Sequence, residues 1–322
     1  MDEANALMGI ALGLGALGCA VGLVGAAVGL LAARRTPEAT KPDARADYEY
    51  EARKRLYHAA GSAMTTLSER SEASLARLRK LTAAVAAGEL SVDGKGALAG
   101  DGPLLRACLY DLTAPLAAAR LMSRRLSEVD VSVDPWYGEL MRALRTLEGA
   151  LGADAELAAV APRLSYEPDH PNARFLQTSE PRTYRRQGLP PQFLDDVVES
   201  LLTPAGDGRQ RLLSPGEFEG AYGEDGSRVR QSMRGLAHLL TGFHPEARPV
   251  FWRVLVLQLH LLHTLSRSGG ERGEHFVVEP FPNSERRRYA VRGGDADSAF
   301  TAVHAYLKQQ LGEGYGKARV PG

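Results

Sequence analysis

Hydrophobic residues are concentrated at the start of the chain, where no charged residue occurs between Glu3 and Arg34. An apolar run of more than about 18 residues is typical of a transmembrane helix. At about 1.5 Å per residue, this run is long enough to cross a hydrocarbon core of about 30 Å. We therefore predict a mainly α-helical protein with an N-terminal transmembrane anchor over residues 1–35, followed by a soluble domain that is helical throughout or nearly so.

The charges that flank the run indicate its orientation. Asp2 and Glu3 precede it, whereas Arg34 and Arg35 follow it. A cleaved signal peptide carries its positive charges first and has a shorter apolar core, so it fits less well. By the positive-inside rule, the sequence predicts a single-pass protein of the cell membrane with its N-terminus outside and its C-terminal domain in the cytoplasm. A signal peptide or a buried soluble helix is the alternative interpretation.

Glycines recur within the run at spacings that place several of them on one helix face. Small residues four positions apart form a groove in which a second helix can approach closely. The predicted packing face consists of Gly18, Gly22, Gly25 and Gly29. This face favours a homo-oligomer or a second membrane protein as the partner, although glycine is also simply frequent in transmembrane helices.

Helical spacing of apolar residues resumes after the anchor. Pro37 and Pro42 lie among mixed charges, so we predict that residues 36–47 form a juxtamembrane linker. Residues 48–160 then form a predicted helical subdomain. Its first helix, from Tyr48, is either a stalk below the membrane or part of the domain core.

Prolines mark helix starts and one helix interior within this subdomain. Pro103 opens the second helix, and Asp134 followed by Pro135 is a start signal in which aspartate caps the helix and proline takes its first position. Pro115 falls inside the second helix, where we expect it to kink or break the helix.

The second half of the chain has three predicted parts. Residues 161–191 are rich in proline, arginine and aromatic residues and show no regular period, and residues 192–312 form a second helical subdomain. Within it, residues 275–291 can pair as a small C-terminal β-hairpin, although Pro280 restricts the first strand to a sheet edge. Residues 313–322 are predicted to be a loose tail.

Candidates for catalysis and metal binding are few. His260 and His263 are three residues apart on one predicted helix, so they share a face. Zinc proteases place two histidines four residues apart with a glutamate after the first, and this sequence does not. Cys108 lies on a predicted inward helix face, where a thiol is normally inert. We therefore predict no catalytic residue, no metal and no cofactor. An enzyme whose His238, His260 and His263 meet an acid only in the fold is the alternative.

Charge excludes one class of partner and leaves another open. Lysine plus arginine number 39 and aspartate plus glutamate number 39, so no net positive charge predicts nucleic acid as a partner. Short basic clusters can contact anionic lipid or another anion. Alternatively they are solvated surface, or pair with the nearby acids Asp195, Asp196 and Glu199. The clusters consist of Arg182, Arg185, Arg186, Arg286, Arg287 and Arg288.

The anchor and the absence of a catalytic motif together favour a membrane-tethered scaffold or sensor module. Such a module would act by self-association or by recruiting a partner at the cytoplasmic membrane face. A membrane-anchored enzyme and a module that binds anionic lipid surfaces remain the alternatives.

Overall fold

The fold is known from a computed structural model that describes most of the chain. Side chains are described from residue 44 onwards, except those of 158–160 and 296–298. The described residues are 2–90, 98, 100–160, 187–206, 208–241, 243–245, 248–268, 276, 278, 281–289, 296–312 and 315. Within them the chain is mainly helical with one small antiparallel sheet, as the sequence predicts in outline.

The first helix, α1 (Asp2–Ala86), is continuous through residues 36–47, where the sequence predicts a linker. Across the residues whose side chains are described, no helix is both long and apolar enough to cross a membrane. The predicted anchor, residues 1–35, lies outside those residues, and so does its glycine face. The transmembrane anchor is therefore unsupported by the structure and stays a prediction.

The chain divides into two compact units, residues 1–55 and residues 56–322. In the second unit, α1 contributes side chains at helical spacing to the hydrophobic core, among them Leu56, Leu67 and Leu78. This part of α1 is therefore a core element rather than a stalk.

Two helices of the first predicted subdomain begin where their sequence signals indicate, α2 (Pro103–Leu126) and α3 (Pro135–Gly149). A further helix, α4 (Asp154–Val160), follows without a predicted start signal. The Asp134 carboxylate accepts the Trp136 amide at 3.1 Å and caps α3.

Pro115 does not break α2, which continues through it. A proline inside a helix removes the backbone hydrogen bond to the carbonyl four residues before it, here that of Asp111. One residue further on, the buried Gln258 amide donates to the Leu112 carbonyl at 3.1 Å and joins α2 to the helix that carries Gln258. The expected break is absent because α2 is buried on both sides of Pro115 and tertiary packing holds it in place.

Residues 191–241 form three helices and the sheet. These are α5 (Pro191–Ser200), α6 (Pro215–Gly223), α7 (Arg228–Thr241), and the strands β1 (Leu202–Pro204) and β2 (Gln210–Leu212). Leu202 pairs with Leu212 and Pro204 with Gln210, in antiparallel register. Ser214 and Glu217 form the capping box that begins α6.

The described sheet lies at residues 202–212, whereas the sequence predicts a hairpin at 275–291. Where the turn of that hairpin is predicted, the structure has the short helix α9 (Asn283–Arg286) followed by a 3-10 turn (Arg287–Tyr289). The Pro282 carbonyl accepts the amides of Glu285 and Arg286 at 2.9 and 3.1 Å, so the chain is helical where a tight turn is predicted. Most residues of the two predicted strands lie outside the described residues, so the hairpin itself stays a prediction.

The centre of the second unit is α8 (Pro249–Ser268), which is buried over most of its length. It packs against α3, α4 and α10 (Ala296–Leu311). Helices from both predicted subdomains therefore share one hydrophobic core. Of the irregular segment, residues 161–186 lie outside the described residues.

The chain returns to the core at residues 187–190, next to the start of α4. The Leu189 amide donates to the Leu151 carbonyl at 2.8 Å. A Cβ atom on Gly188 would lie 2.6 Å from that carbonyl oxygen and 2.9 Å from the Asp154 carboxylate, so only glycine fits. Burial raises the pKa of Asp154, while backbone amides, including those of Gly188 and Gln187, oppose the shift.

Candidate functional site

A cavity of about 260 Å³ lies between α3 and the chain that follows α10. We call it the C-terminal pocket. Its wall combines one acid, one base, a tyrosine and several apolar side chains, which is the mixture found in small-molecule sites. The lining residues are Glu139, Arg142, Phe276, Val278, Leu311, Gly312 and Tyr315.

Two opposite charges lie on the α3 wall of the C-terminal pocket. Glu139 and Arg142 are three residues apart, so consecutive turns of α3 carry them on one face. Glu139 Oε2 accepts the Phe276 amide at 2.8 Å, which holds that residue against the helix. Arg142 is exposed, and within the described residues no ion pair engages its guanidinium.

Behind the pocket, the Tyr315 hydroxyl lies between two imidazoles. Its oxygen is 3.0 Å from His260 Nε2 and 3.0 Å from His304 Nδ1. We call these residues the His–Tyr–His group. Burial raises the pKa of Tyr315 well above its ordinary value, and the nearby Arg286 charge only partly opposes this. Tyr315 is therefore a neutral phenol across the physiological pH range.

The protonation of His260 follows from its second contact. The Phe281 amide donates to His260 Nε2 at 2.9 Å. Because a peptide nitrogen is only a donor, Nε2 is an acceptor and His260 is the neutral tautomer protonated on Nδ1. The Tyr315 hydroxyl therefore lies among three polar groups: the Phe281 amide and His260 Nε2 on one side, and His304 Nδ1 on the other.

The structure gathers only part of the predicted histidine site. His260 joins the group, but His263 packs edge-on to the Phe281 ring at 5.0 Å and His238 is exposed on α7. Among the described residues, no group of three or more His, Cys, Asp or Glu side chains could hold a metal ion. The arrangement brings two imidazoles and one phenol together in the second unit.

Two members of the group were not predicted from the sequence. His304 is four residues from Phe300 in α10, so it shares the helix face that carries the inward aromatic ring, and this spacing was an available signal. Tyr315 falls in the predicted loose tail, yet it is only 7% exposed and its amide donates to the Gly312 carbonyl at 3.2 Å. No periodic pattern marks a single buried residue after a helix end.

Cys108 is buried, as the sequence predicts. Burial raises the pKa of its thiol to about 12, because desolvation outweighs the opposing charge of Arg77. At neutral pH the residue is therefore a thiol and a poor nucleophile.

The arginine clusters do not converge on one site in the described residues. Arg286 lies over the Phe300 ring at 5.1 Å, and Arg288 pairs with Glu285 at 3.2 Å. Arg287 is exposed. Arg182, Arg185 and Arg186 lie outside the described residues.

The nearby acids have other partners on α2. Arg120 contacts Asp195 at 2.8 Å and Glu199 at 3.6 Å, and Arg124 also pairs with Glu199. Asp195 and Glu199 are therefore part of an ion-pair network that joins α5 to α2.

Comparison with known proteins does not extend this geometry. No protein family model, no curated protein and no solved structure matches the chain. Function is therefore inferred from the residues themselves.

Proposed function

We propose that the chain is a membrane-tethered helical scaffold or sensor module that acts by self-association or by recruiting a partner at the cytoplasmic membrane face. The observation that carries this proposal is the uncharged run between Glu3 and Arg34, which falls within the continuous helix α1. A helix satisfies its own backbone hydrogen bonds, which is what a segment in lipid requires.

The glycine face supports association as the mode of action. Consecutive residues of an α-helix are rotated by about 100°, so Gly18, Gly22, Gly25 and Gly29 fall within one narrow stripe. Gly9 and Gly13 fall on the opposite side of the same helix. Close helix contact through such a stripe is a known route to pairing in membranes.

The contacts of the polar groups in the second unit favour a binding role over a catalytic one. The polar contacts described above for the His–Tyr–His group are made to one another and to the Phe281 amide. The single cysteine with a described side chain is a buried thiol. These residues stabilise the fold and have no activated nucleophile among them.

The test compares the full chain with a shortened chain that starts at Thr36. Both are expressed in a bacterial host and fractionated between membrane and soluble pools. Their molar mass in mild detergent is then measured by light scattering. We expect the full chain in the membrane pool as an oligomer or with a co-purifying partner, and the shortened chain without either. If the full chain stays in the soluble pool, the membrane-tether hypothesis is wrong. If it is a membrane-bound monomer without a partner, the scaffold hypothesis is wrong.

Matched double variants locate the association face. Gly22→Leu with Gly25→Leu fills the proposed stripe, whereas Gly9→Leu with Gly13→Leu adds the same bulk on the opposite side. We expect only the first pair to abolish the oligomer or the partner, because leucine prevents close helix approach. Equal loss in both pairs would contradict the assignment of the face.

A further inference from the structure

The end of α1 and the 3-10 turn after α9 form one basic surface, although they are far apart in the sequence. The Thr82 hydroxyl lies 3.3 Å from the Arg288 carbonyl oxygen, a contact that spans 206 positions. The Arg79 guanidinium lies over the buried Tyr289 ring at 5.9 Å. We call this surface the basic patch. It consists of four exposed residues, Arg79, Lys80, Arg287 and Arg288.

One carboxylate lies within the basic patch, and two of its arginines share it. Glu285 is 3.2 Å from Arg288 and 3.9 Å from Arg79. Within the part of the chain that the structure describes, no ion pair engages Lys80 or Arg287. The basic patch therefore carries more positive charge than Glu285 neutralises, on a chain whose total formal charge is zero.

The position of Glu285 indicates which anion the basic patch can bind. Two guanidinium groups from separate segments converge on its carboxylate, and guanidinium is well matched to carboxylate in shape and charge. Lys80 follows Arg79 in α1, and Arg287 precedes Arg288 in the turn. The two residues without an ion pair therefore belong to the same two segments and are exposed to carboxylates of another molecule.

Other polyanions fit the basic patch less well. Sites for single-stranded nucleic acid combine basic residues with aromatic rings on which bases stack, but the ring of Tyr289 is only 2% exposed. Basic sites for anionic lipid usually contain about 4–8 lysines or arginines, and here four of them include an acid. No exposed large hydrophobic side chain of the described residues belongs to the patch, so none inserts into a bilayer.

We propose that the basic patch binds an acidic segment of a partner protein, with carboxylates that pair with Lys80 and Arg287. This inference rests on the recruiting role proposed above and specifies the chemistry of the partner. Opposite charges on the two surfaces increase the rate of association and select against basic partners. Because all four basic side chains are exposed, the attraction is screened by salt.

The test measures binding of a fluorescein-labelled octaglutamate peptide to the full chain in mild detergent by fluorescence anisotropy. A labelled single-stranded oligonucleotide of equal charge, and phosphatidylserine added to the detergent micelles, are the competing polyanions. We expect the peptide to bind more tightly than the oligonucleotide, to resist displacement by phosphatidylserine, and to bind more weakly as the salt concentration is raised.

Three outcomes would overturn the proposal: no binding of the peptide, tighter binding of the oligonucleotide, or displacement of the peptide by phosphatidylserine. The fractionation of the full and shortened chains between membrane and soluble pools does not depend on this assay. A failure of the basic patch is therefore distinguishable from a failure of the tether.

Double variants that remove equal charge locate the binding site. Lys80→Gln with Arg287→Gln removes the two side chains without an ion pair, whereas Arg142→Gln with Arg145→Gln removes two exposed charges from α3. We expect the first pair to weaken peptide binding about fivefold and the second to leave it unchanged, since exposed charge pairs contribute modestly. Equal weakening would show that the peptide responds only to total charge and would refute the site. Circular dichroism checks that both variants fold.

Discussion

Two regions of the second unit contain an arginine, an acid and a tyrosine, and they use them differently. At the surface where α2, α6 and α7 meet, the Tyr222 ring contacts the guanidinium groups of both Arg106 and Arg230, at 5.7 and 5.6 Å. We call this the Tyr222 cluster. Arg106 contacts Glu219 at 2.9 Å, and Asp101 contacts both arginines at 3.3 and 3.1 Å.

The C-terminal pocket contains the same residue types in a different arrangement. Arg142 lines a cavity, and no ion pair of the described residues engages it. The Tyr315 hydroxyl lies 3.0 Å from a nitrogen of each of two imidazoles rather than beside arginines. The comparison teaches that residue types alone do not fix their use, because Arg106 and Arg230 are paired with acids whereas Arg142 lies at a cavity wall.

The largest expected effect lies in the His–Tyr–His group. His260→Leu removes the acceptor of the Phe281 amide, and leaving a buried donor unsatisfied while changing the packing typically costs a few kcal/mol. We expect the free energy of unfolding to fall by about 3 kcal/mol. Urea titration followed by the fluorescence of the buried Trp136 and Trp252 would measure it. His238→Leu, at an exposed position, is the control and should change little.

Removal of one hydroxyl in each region sharpens the comparison. Tyr315→Phe leaves the two imidazoles without their shared partner, so we expect a loss of about 1–2 kcal/mol. Tyr222→Phe removes the hydroxyl that hydrogen-bonds to Asp101, but Asp101 keeps both of its arginines and both arginines keep the ring, so this variant should cost less. Thermal unfolding of both variants measures the difference, and an equal or larger loss in Tyr222→Phe would contradict it.

Removal of one arginine in each region tests the comparison directly. Arg106→Ala eliminates two ion pairs and one arginine–ring contact and should cost about 1 kcal/mol. Arg142→Ala removes no such contact and should stay within about 0.5 kcal/mol. Chemical denaturation of both variants is the measurement. If Arg142→Ala were the more destabilising, Arg142 would be a structural residue.

The smallest expected effect concerns the pH dependence of an exposed charge. Hydrogen bonds from the Arg211 guanidinium, and then from Ser214, hold the pKa of Glu217 well below its ordinary value. A lowered pKa means that this contribution is present above the unfolded pKa of about 4.3 and is lost as the pH falls below it. Glu217→Gln should therefore be less stable than the parent at pH 7 and differ less from it at pH 3. A constant difference across that range would show that the Glu217 charge has no role.

Sequence reasoning succeeds for local signals and fails for distant contacts. The caps at Asp134 and Ser214 were predictable because each signal lies within four residues of its partner. The buried face of α1 followed from helical spacing alone. The described sheet was not predicted, because its strands are three residues each and too short to show a period.

The C-terminal pocket was not predictable for a different reason. Glu139 and Arg142 lie on an amphipathic helix like many surface residues. The sequence does not show that Leu311, Gly312 and Tyr315 line the same cavity. The contact between His260 and Tyr315 spans 55 positions along the chain. Only the packing of α10 against α8 and α3 brings these residues together.

The close approach at Gly188 has a consequence for how the chain tolerates change in length. The hydrogen bond from the Leu189 amide to the Leu151 carbonyl joins two points of the core that lie 38 positions apart along the chain. The entropy of closing a loop grows slowly, by about 0.6 kcal/mol for each doubling of its length. Inserting a tag or a whole domain between residues 161 and 186 should therefore leave the rest of the fold intact, whereas adding a single methyl group at Gly188 would not.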